Sequence, residues 1–342
     1  MRAGIYSPYL DTLGGGERYV ASVAKVLTDH GWNVDLESPV KGIIAKLESK
    51  FGMKLDSVQV VDSIKRGDGY DLCFWLSDGS VPTLLARKNI LHFQRPFYKV
   101  DGKSLINRMK FFRINKVVVN SKFTKDWIDK EFPIDSYVLY PPVDVSKFKP
   151  GKKENVILYV GRFSQLEQSK RQDILLSVFK KLYDSGFKDW KLILAGGSEV
   201  GRTSYVDRLK KSAGGYPVKI IENPSFKELK DFYARAKVFW SASGYGVNEV
   251  KEPQKVEHFG ITVVEAMSAG LVPIVFAGGG HREIIKDGEN GILWNATQGL
   301  LSKTKKLIDD KALYFKLARN AKRDCIKYSY ERFAREFLLL LQ

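Results

Sequence analysis

Short β-rich segments alternate with helical segments along this chain, in two successive series. The strand candidates of the first series are residues 2–6, 33–37, 70–75, 89–93 and 116–120. Those of the second series are residues 155–160, 191–195, 218–221, 238–241 and 271–276. Helical patterns separate them. Because such alternation builds parallel sheets covered by helices, the chain is predicted to be an α/β protein with two sheets.

A proline-rich stretch over 140–150 separates the two series and is the natural linker. The length of 342 residues agrees with two domains, since domains average roughly 150 residues. We therefore expect a first domain over 1–150 and a second over 151–325. The last segment, 326–342, carries Phe333, Phe337 and Leu340 at helical spacing, which predicts an amphipathic helix.

The composition, with 44% apolar and 28% charged residues, is that of a globular protein. Two cysteines, Cys73 and Cys325, exclude a disulfide framework and a Cys-x-x-Cys metal site. No basic segment followed by an apolar one opens the chain, and no apolar run approaches the ~18 residues of a membrane span. We therefore expect a cytoplasmic protein. The net charge of +17 favours anionic partners, namely nucleotides, nucleic acid or acidic lipids.

A triple glycine, Gly14–Gly16, lies between the first strand candidate and the first helical pattern. Glycines at this point let backbone amides approach a phosphate, and the helix N-terminus adds a positive dipole. The spacing is not the dinucleotide-binding one, because Tyr19 stands where the third glycine belongs, and no P-loop pattern occurs. A tight strand–helix turn explains the glycines equally well.

Two cations, Arg162 and Lys170, follow the strand candidate 155–160. Ligands of an open α/β sheet sit at the carboxyl ends of its strands, so these cations are placed to neutralise a diphosphate. A solvated loop is the alternative.

Two carboxylates, Glu257 and Glu265, flank a turn made by Phe259, Gly260 and Ile261 before a short helix. Free amides at such a turn hold phosphate or hydroxyl oxygens, and a carboxylate beside them accepts hydrogen bonds from two sugar hydroxyls. A general acid and base pair is a second interpretation. A surface capping pair is a third, which the apolar neighbours disfavour.

Six segments together carry a resemblance to a known family. They are GGGER at 14–18, YPPVD at 140–144, GRFS at 161–164, KRQDILL at 170–176, the Glu-x7-Glu element at 257–265 and AGGGHREII at 277–285. In this order they resemble a GT-B glycosyltransferase and are most similar to family 4 of the retaining enzymes, the glycosyl transferases group 1. The resemblance covers almost the whole chain.

The resemblance implies two Rossmann-like domains facing across a cleft, with the C-terminal helix crossing back to the first domain. It implies a nucleotide-sugar donor bound mainly by the second domain. By motif, Arg162 and Lys170 would neutralise the diphosphate, Glu265 would bind the ribose hydroxyls, and Glu257 would bind the donor sugar or its phosphate. The amides of Phe259, Gly260 and Ile261 would face sugar hydroxyls and phosphate.

Three residues of the first domain are implied as well. Gly15 and Gly16 would approach the diphosphate, and His92 would lie near the transferred sugar. The catalytic candidates are therefore His92, Glu257, Arg162 and Lys170.

The chain departs from the family pattern at two places. The spacing from Arg162 to Lys170 is two residues longer than the common one, which leaves open whether Lys170 or Arg171 reaches the diphosphate. An insert over 244–256 precedes Glu257 and is expected to form a lid or an acceptor-side loop.

No Asp-x-Asp motif is present, so we expect no metal and no cofactor; the nucleotide sugar is a substrate. Cations and helix dipoles would supply the charge stabilisation instead. The family implies retention of the anomeric configuration. The sequence offers no convincing covalent nucleophile, so front-face attack, which the resemblance implies, is the expected route.

The acceptor side is predicted from a basic segment. From Arg87 to Lys125 there are eleven Lys and Arg residues and one acid, Asp101, with interleaved aromatics. This pattern suits an anionic membrane surface or a lipid-phosphate acceptor. Nucleic acid is not expected as a partner, because no nucleic-acid-binding motif accompanies the charge.

The leading hypothesis is a hexosyltransferase on the cytoplasmic face of a membrane. It would use GDP-mannose or a UDP-sugar to extend a lipid-linked glycan or a glycolipid. A soluble saccharide or small-molecule acceptor is the first alternative, and a non-catalytic nucleotide-sugar or nucleic-acid binding protein the second.

Overall fold

The computed structural model describes residues 1–10, 14–164, 168–198 and 203–342. Contacts divide the chain into unit 1, Met1–Pro142 with Tyr330–Gln342, and unit 2, Val143–Ser329. The first division falls inside the 140–150 stretch, and the second falls after Ser329 rather than after residue 325. The C-terminal segment thus belongs to unit 1.

The described part of unit 1 contains a sheet of seven parallel strands. They are β1 (Arg2–Tyr6), β2 (Asn33–Glu37), β3 (Val58–Val61), β4 (Leu72–Leu76), β5 (Lys88–Phe93), β6 (Lys116–Val119) and β7 (Tyr137–Val138). Their order is β3-β2-β1-β4-β5-β6-β7. Ile5 of β1 pairs with Leu36 on one side and Phe74 on the other. Strands buried on both faces explain the near-continuous apolar runs in the sequence.

Within the described residues of unit 1, four helices follow strands of this sheet: α1 (Gly15–Asp29), α2 (Ile43–Phe51), α3 (Leu105–Phe111) and α4 (Lys122–Glu131). Val20, Val23 and Leu27 of α1 are fully buried in the unit 1 core, at the helical spacing that the sequence shows.

The described part of unit 2 contains a second sheet of six parallel strands. They are β8 (Val156–Val160), β9 (Lys191–Gly196), β10 (Val218–Glu222), β11 (Val238–Ser241), β12 (Val272–Phe276) and β13 (Ile292–Trp294). Their order is β10-β9-β8-β11-β12-β13, so the direction of winding reverses between β8 and β11. Ligands of such sheets bind outside the carboxyl ends of the strands, at this switch point.

The helices of unit 2 connect these strands or follow the last one. They are α5 (Gln172–Asp184), α6 (Thr203–Ala213), α7 (Phe226–Arg235), α8 (Ile261–Ser268), α9 (His281–Ile284), α10 (Thr297–Asp309) and α11 (Lys311–Asp324).

The final helix, α12 (Tyr330–Leu340), packs into the core of unit 1. Phe333 and Phe337 are fully buried there. The Phe333 ring lies 5.1 Å from Tyr19, and the Phe337 ring lies 6.1 Å from Phe74. The predicted amphipathic helix and its return to the first domain are confirmed. Among the described residues, no helix is both long enough and apolar enough to cross a membrane.

Candidate functional site

The carboxyl end of β8 presents Arg162 at the switch point of the second sheet. Gly161 donates its N–H to the Ala195 carbonyl at 2.9 Å, and Phe163 donates to Gly197 at 2.8 Å. A Cβ at Gly161 would lie 2.1 Å from the Tyr159 hydroxyl, so only glycine fits here. The Arg162 side chain is exposed and has no acidic partner among the described residues. It is therefore free to meet an anionic ligand.

Lys170 lies at the other cation position and forms an ion pair with Glu257. Its Nζ lies 2.7 Å from Glu257 Oε2, and both side chains are mostly buried. The neighbouring Arg171 is engaged elsewhere, because it donates to Asp173 and to the Tyr245 carbonyl at 2.9 Å. Residues 165–167 of this loop lie outside the described residues. Of the two candidate cations, Lys170 is the one held at the Glu257 carboxylate.

Glu257 is a carboxylate at neutral pH. Burial alone would raise its pKa, but the Lys170 ammonium, with smaller contributions from His281 and His258, lowers the pKa to about 2. A group with this pKa does not donate a proton near pH 7, so Glu257 is not the acid of a general acid and base pair. It can accept hydrogen bonds from hydroxyl groups or stabilise positive charge.

Four further residues lie around this pair: Gln168, His258, His281 and Tyr159. Of these, the sequence pointed individually only to His258, which stands where the family pattern has a small residue and was expected to affect sugar preference. Gln168 Nε2 donates to the Val256 carbonyl at 3.1 Å and lies 3.0 Å from the His258 ring nitrogens. The His281 side chain is buried, and its Nδ1 lies 2.9 Å from the Phe276 carbonyl. Burial raises the pKa of the Tyr159 hydroxyl, and the negative charge of Glu257 raises it further. His281 belongs to the AGGGHREII segment, which was the only sequence signal for it.

The turn over 259–261 forms the N-terminus of α8, as predicted. Gly260 adopts φ 117°, a left-handed conformation that glycine tolerates and that starts the helix at Ile261. Val263 donates its N–H back to Gly260 at 3.0 Å. The N–H groups of Gly260 and Ile261 have no acceptor within the described part of the chain. Unpaired amides at a helix N-terminus favour an anionic oxygen.

Glu265 lies one turn into α8 and is buried, at 8% exposure. Its Oε2 accepts a 2.9 Å hydrogen bond from the hydroxyl of Tyr233, a residue of α7. A buried carboxylate is costly unless hydrogen bonds satisfy it, and the Tyr233 hydroxyl supplies one of them. Tyr233 thus fixes the orientation of Glu265.

The glycine-rich loop after β12 connects the insert to Glu257. Gly280 donates its N–H to the Glu257 carbonyl at 2.8 Å. From the insert, Glu249 accepts the Gly279 N–H at 3.1 Å and an Arg282 N–H at 2.6 Å. The insert is therefore attached to the loop that contacts the Glu257 backbone.

Replacing Glu249 with alanine is expected to lower kcat/KM about tenfold, because small displacements of positioned groups reduce rates strongly. The matched control is Glu252→Ala, which removes another insert carboxylate, one paired with Lys255. Steady-state measurement of kcat/KM for both variants tests this role of Glu249. Equal kinetics for the two variants would contradict this role of Glu249.

In unit 1, Gly15 and Gly16 form the first turn of α1. The Gly14 N–H donates to the Glu17 carboxylate at 2.6 Å, which caps the helix. Gly15 is exposed, and a Cβ at Gly16 would lie 3.5 Å from the Gln94 side chain. Their contact with a diphosphate stays a prediction.

His92, near the end of β5, is fully buried in the unit 1 core. Its ring stacks on Tyr19 with 4.1 Å between centroids. Its Nδ1 lies 3.0 Å from the Val118 carbonyl, and its Nε2 lies 2.6 Å from the Gln94 side-chain amide. Burial lowers the pKa of His92 to about 4. The ring is thus a neutral packing group in this structure, and its role beside the transferred sugar stays a prediction.

Acidification is expected to destabilise the folded protein through His92. Between its folded pKa of about 4 and its ordinary value of 6.5, the unfolded chain binds a proton that the folded chain does not. Stability therefore falls as pH drops through this window, by at most about 1.4 kcal/mol per pH unit. Denaturant unfolding at a series of pH values should show a shallower pH dependence of stability for His92→Gln than for wild type. An unchanged slope in His92→Gln would refute this effect.

Comparisons with known proteins bear on the family and the fold of this chain. The family model of the glycosyl transferases group 1 matches residues 143–324, more than half of the chain. The GDP-Man:Man(3)GlcNAc(2)-PP-Dol alpha-1,2-mannosyltransferase of Dictyostelium discoideum is 25% identical over 241 residues. The match spans 65% of this chain and 46% of that enzyme, so less than half of the relative is represented.

Two other matches cover nearly full chains. An uncharacterized glycosyltransferase of Methanocaldococcus jannaschii is 25% identical over 96% of this chain and 93% of its own length. The structure of Anabaena HepE in complex with UDP and glucose matches with a TM-score of 0.77 at 18% identity. It covers 100% of this chain and 99% of HepE, and at this identity the likeness concerns the fold. The chain therefore belongs to the glycosyl transferases group 1 and has the two-domain GT-B fold.

Proposed function

We propose that this chain is a retaining glycosyltransferase. It moves a hexose from a nucleotide-diphosphate sugar to a lipid-linked glycan or glycolipid at the cytoplasmic face of a membrane. The name of the Dictyostelium relative gives GDP-Man as donor and Man(3)GlcNAc(2)-PP-Dol as acceptor, which supports GDP-mannose as the first candidate donor. The HepE complex contains UDP and glucose, so a UDP-sugar is the competing donor.

The observation that carries the proposal is the Lys170–Glu257 pair at the switch point, together with the unpaired amides of Gly260 and Ile261. Arg162 and Lys170 neutralise the diphosphate, and the α8 amides hold phosphate or sugar oxygens. Glu265, oriented by Tyr233, accepts hydrogen bonds from the ribose hydroxyls.

In the transfer step, the acceptor hydroxyl oxygen forms a bond to the anomeric carbon while the bond to the diphosphate oxygen breaks. The acceptor proton passes to the departing diphosphate, so a front-face reaction is balanced. Charge grows on the diphosphate, where the two cations act, and positive charge grows on the sugar ring, which the Glu257 carboxylate stabilises. The low pKa of Glu257, about 2, keeps it ionised for this role.

A thermal-shift panel of GDP, UDP, ADP and their sugar conjugates, without added metal, tests the donor site. A ligand that binds the native state stabilises it by about 2.7 kcal/mol at a hundredfold excess over its Kd. We expect one nucleotide to raise the Tm above the others and to do so equally with EDTA. A flat panel, repeated with magnesium, would argue against the donor site.

Transfer assays then test the acceptor. With the donor that the panel selects, we expect sugar transfer to a polyprenyl-diphosphate-linked glycan to exceed transfer to the same glycan released from the lipid. Equal transfer to both would favour a soluble acceptor.

A further inference from the structure

The helix α3 in unit 1 is unusual because none of its residues is buried. Four of its apolar residues face solvent, counting the residue that follows its last turn. Leu105 is 74% exposed, Ile106 66%, Met109 61% and Phe112 87%. Single exposed apolar residues are common on protein surfaces, but a contiguous group of this size indicates an interaction site.

The four residues share one side of the helix. At about 100° per residue, positions 105, 106, 109 and 112 fall within about a third of the circumference. Phe112 continues the helical conformation, with φ −61° and ψ −20°. Phe111 points the other way and packs 5.8 Å from the Phe132 ring in the core. The core contact thus holds α3 in place with its apolar side outward.

The ends and edges of α3 support the same orientation. The Ser104 hydroxyl accepts the Asn107 N–H at 3.4 Å, and Asn107 donates to the Asp101 carbonyl at 2.9 Å. Arg108 and Lys110 flank the apolar side on its two edges. Neither has an acidic partner among the residues described. We call Leu105, Ile106, Arg108, Met109, Lys110 and Phe112 the α3 surface.

The α3 surface belongs to a strongly basic segment of the sequence. It lies within the 87–125 segment, where Asp101 is the one acid against eleven Lys and Arg residues. Lys103, Arg113 and Lys116 nearby are also exposed. An apolar strip flanked by cations matches a bilayer that carries anionic headgroups, because the strip enters the acyl boundary while the cations stay at the phosphates.

We propose that the α3 surface is a docking surface for a bilayer containing anionic phospholipids. Nucleic acid fits less well, since single-strand binding uses stacking aromatics and three of the four apolar residues here are not aromatic. The docking surface deepens the proposed function, on which it rests for a membrane-held acceptor, by naming the lipid class and the residues that meet it.

Vesicle co-sedimentation with the full chain tests the proposal. Wild type should bind vesicles of phosphatidylcholine mixed with phosphatidylglycerol, bind phosphatidylcholine alone at least about tenfold more weakly, and lose affinity with salt. Ile106→Ser with Phe112→Ser should lower the affinity for mixed vesicles about tenfold or more. The matched control is Phe315→Ser, at a 67% exposed phenylalanine of α11 in unit 2.

The same vesicle assay tests the contribution of the two flanking cations. Arg108→Glu with Lys110→Glu should lower the affinity for mixed vesicles by at least about tenfold, since each cation near an anionic surface strengthens binding. The control variant, Arg319→Glu with Lys322→Glu, changes the net charge by the same amount on α11. It should lower the affinity for mixed vesicles less than the Arg108 and Lys110 substitutions do.

Three results would overturn the docking surface. One is equal vesicle binding by the α3 variants and their controls. The second is a wild-type dimer, without vesicle binding, that the Ile106 and Phe112 substitutions convert to a monomer. The third is single-stranded nucleic acid binding, without vesicle binding, that the same variants abolish. Thermal shifts with nucleotides should be unchanged in the α3 variants. Vesicle binding beside a flat nucleotide panel would contradict the donor site and leave the docking surface standing.

Discussion

Replacing Lys170 with alanine is expected to lower the rate of sugar transfer by about 10²- to 10³-fold, the usual effect of removing a group that stabilises developing negative charge. Lys170 holds the position next to Glu257 at 2.7 Å, in a mostly buried site where an ammonium is poorly replaced by water. Initial rates at saturating donor measure the effect, and most of it should appear in kcat.

Arg171→Ala is the matched control, since it removes the adjacent cation. The Arg171 guanidinium already donates hydrogen bonds to Asp173 and to the Tyr245 carbonyl. This variant should therefore lower the rate of sugar transfer by no more than about tenfold. If Arg171→Ala proves the more damaging substitution, the diphosphate cation has been assigned to the wrong residue.

A pH profile provides a second readout for Lys170. With the ammonium gone, burial dominates and the pKa of Glu257 rises from about 2. Protonated Glu257 no longer stabilises positive charge, so Lys170→Ala should lose activity on acidification at a pH where wild type does not. A merely structural Lys170 would leave the shape of the profile unchanged.

Replacing Glu265 with alanine is expected to weaken nucleotide binding about 10- to 100-fold. The reason is that hydrogen bonds to a charged group contribute about 1.5–3 kcal/mol. The variant also leaves the buried Tyr233 hydroxyl without its 2.9 Å acceptor. Tyr233→Phe, which removes the orienting contact and keeps the carboxylate, should show a smaller loss. Calorimetric titration with the selected nucleotide measures all three affinities.

Dideoxyribose analogues of the nucleotide separate ribose recognition from general damage. Wild type should bind the analogue about 10- to 100-fold more weakly than the parent nucleotide, and Glu265→Ala should bind the two alike. If the variant still discriminates against the analogue, Glu265 is not the ribose ligand.

Much of the fold could be predicted because buried parallel strands leave a strong local pattern. The predicted strands 2–6, 33–37 and 238–241 agree with β1, β2 and β11, and the other predicted strands differ only at their ends. The strands that were not predicted are β3, β7 and β13, each at the edge of its sheet. Edge strands are short and pair on one side, so they require neither length nor a continuous apolar run.

The candidate site was predictable where backbone geometry demands particular residues. Gly260 and Arg162, the cation after β8, could be predicted because turns and strand ends require particular residue types in the local sequence. Tyr233, by contrast, reaches Glu265 from another helix, 32 positions earlier in the chain. Contacts of this kind depend on tertiary packing and leave no spacing pattern. The same holds for Glu249 and its contact with the 277–281 loop.

For His92, the strand-end position and the family resemblance suggested a ring near the transferred sugar. The structure shows its Nδ1 at the Val118 carbonyl and its Nε2 at the Gln94 side chain, and its role beside the sugar stays a prediction. For the α3 surface, the basic charge pattern could be predicted from the sequence. The side of the helix that faces solvent is shown by the structure, where Phe111 packs against Phe132 and the opposite apolar residues are exposed.

The most direct measurement is proton NMR of donor turnover in real time, with purified wild type and Lys170→Ala. We expect wild type to consume one nucleotide sugar, with GDP-mannose first among the candidates. The released or transferred sugar should appear initially with the α-configuration of the donor, and Lys170→Ala should be slower by about 10²- to 10³-fold. Turnover of no donor, initial release of the β-anomer, or equal rates for the two proteins would contradict a retaining glycosyltransferase with its donor site at Lys170 and Glu257.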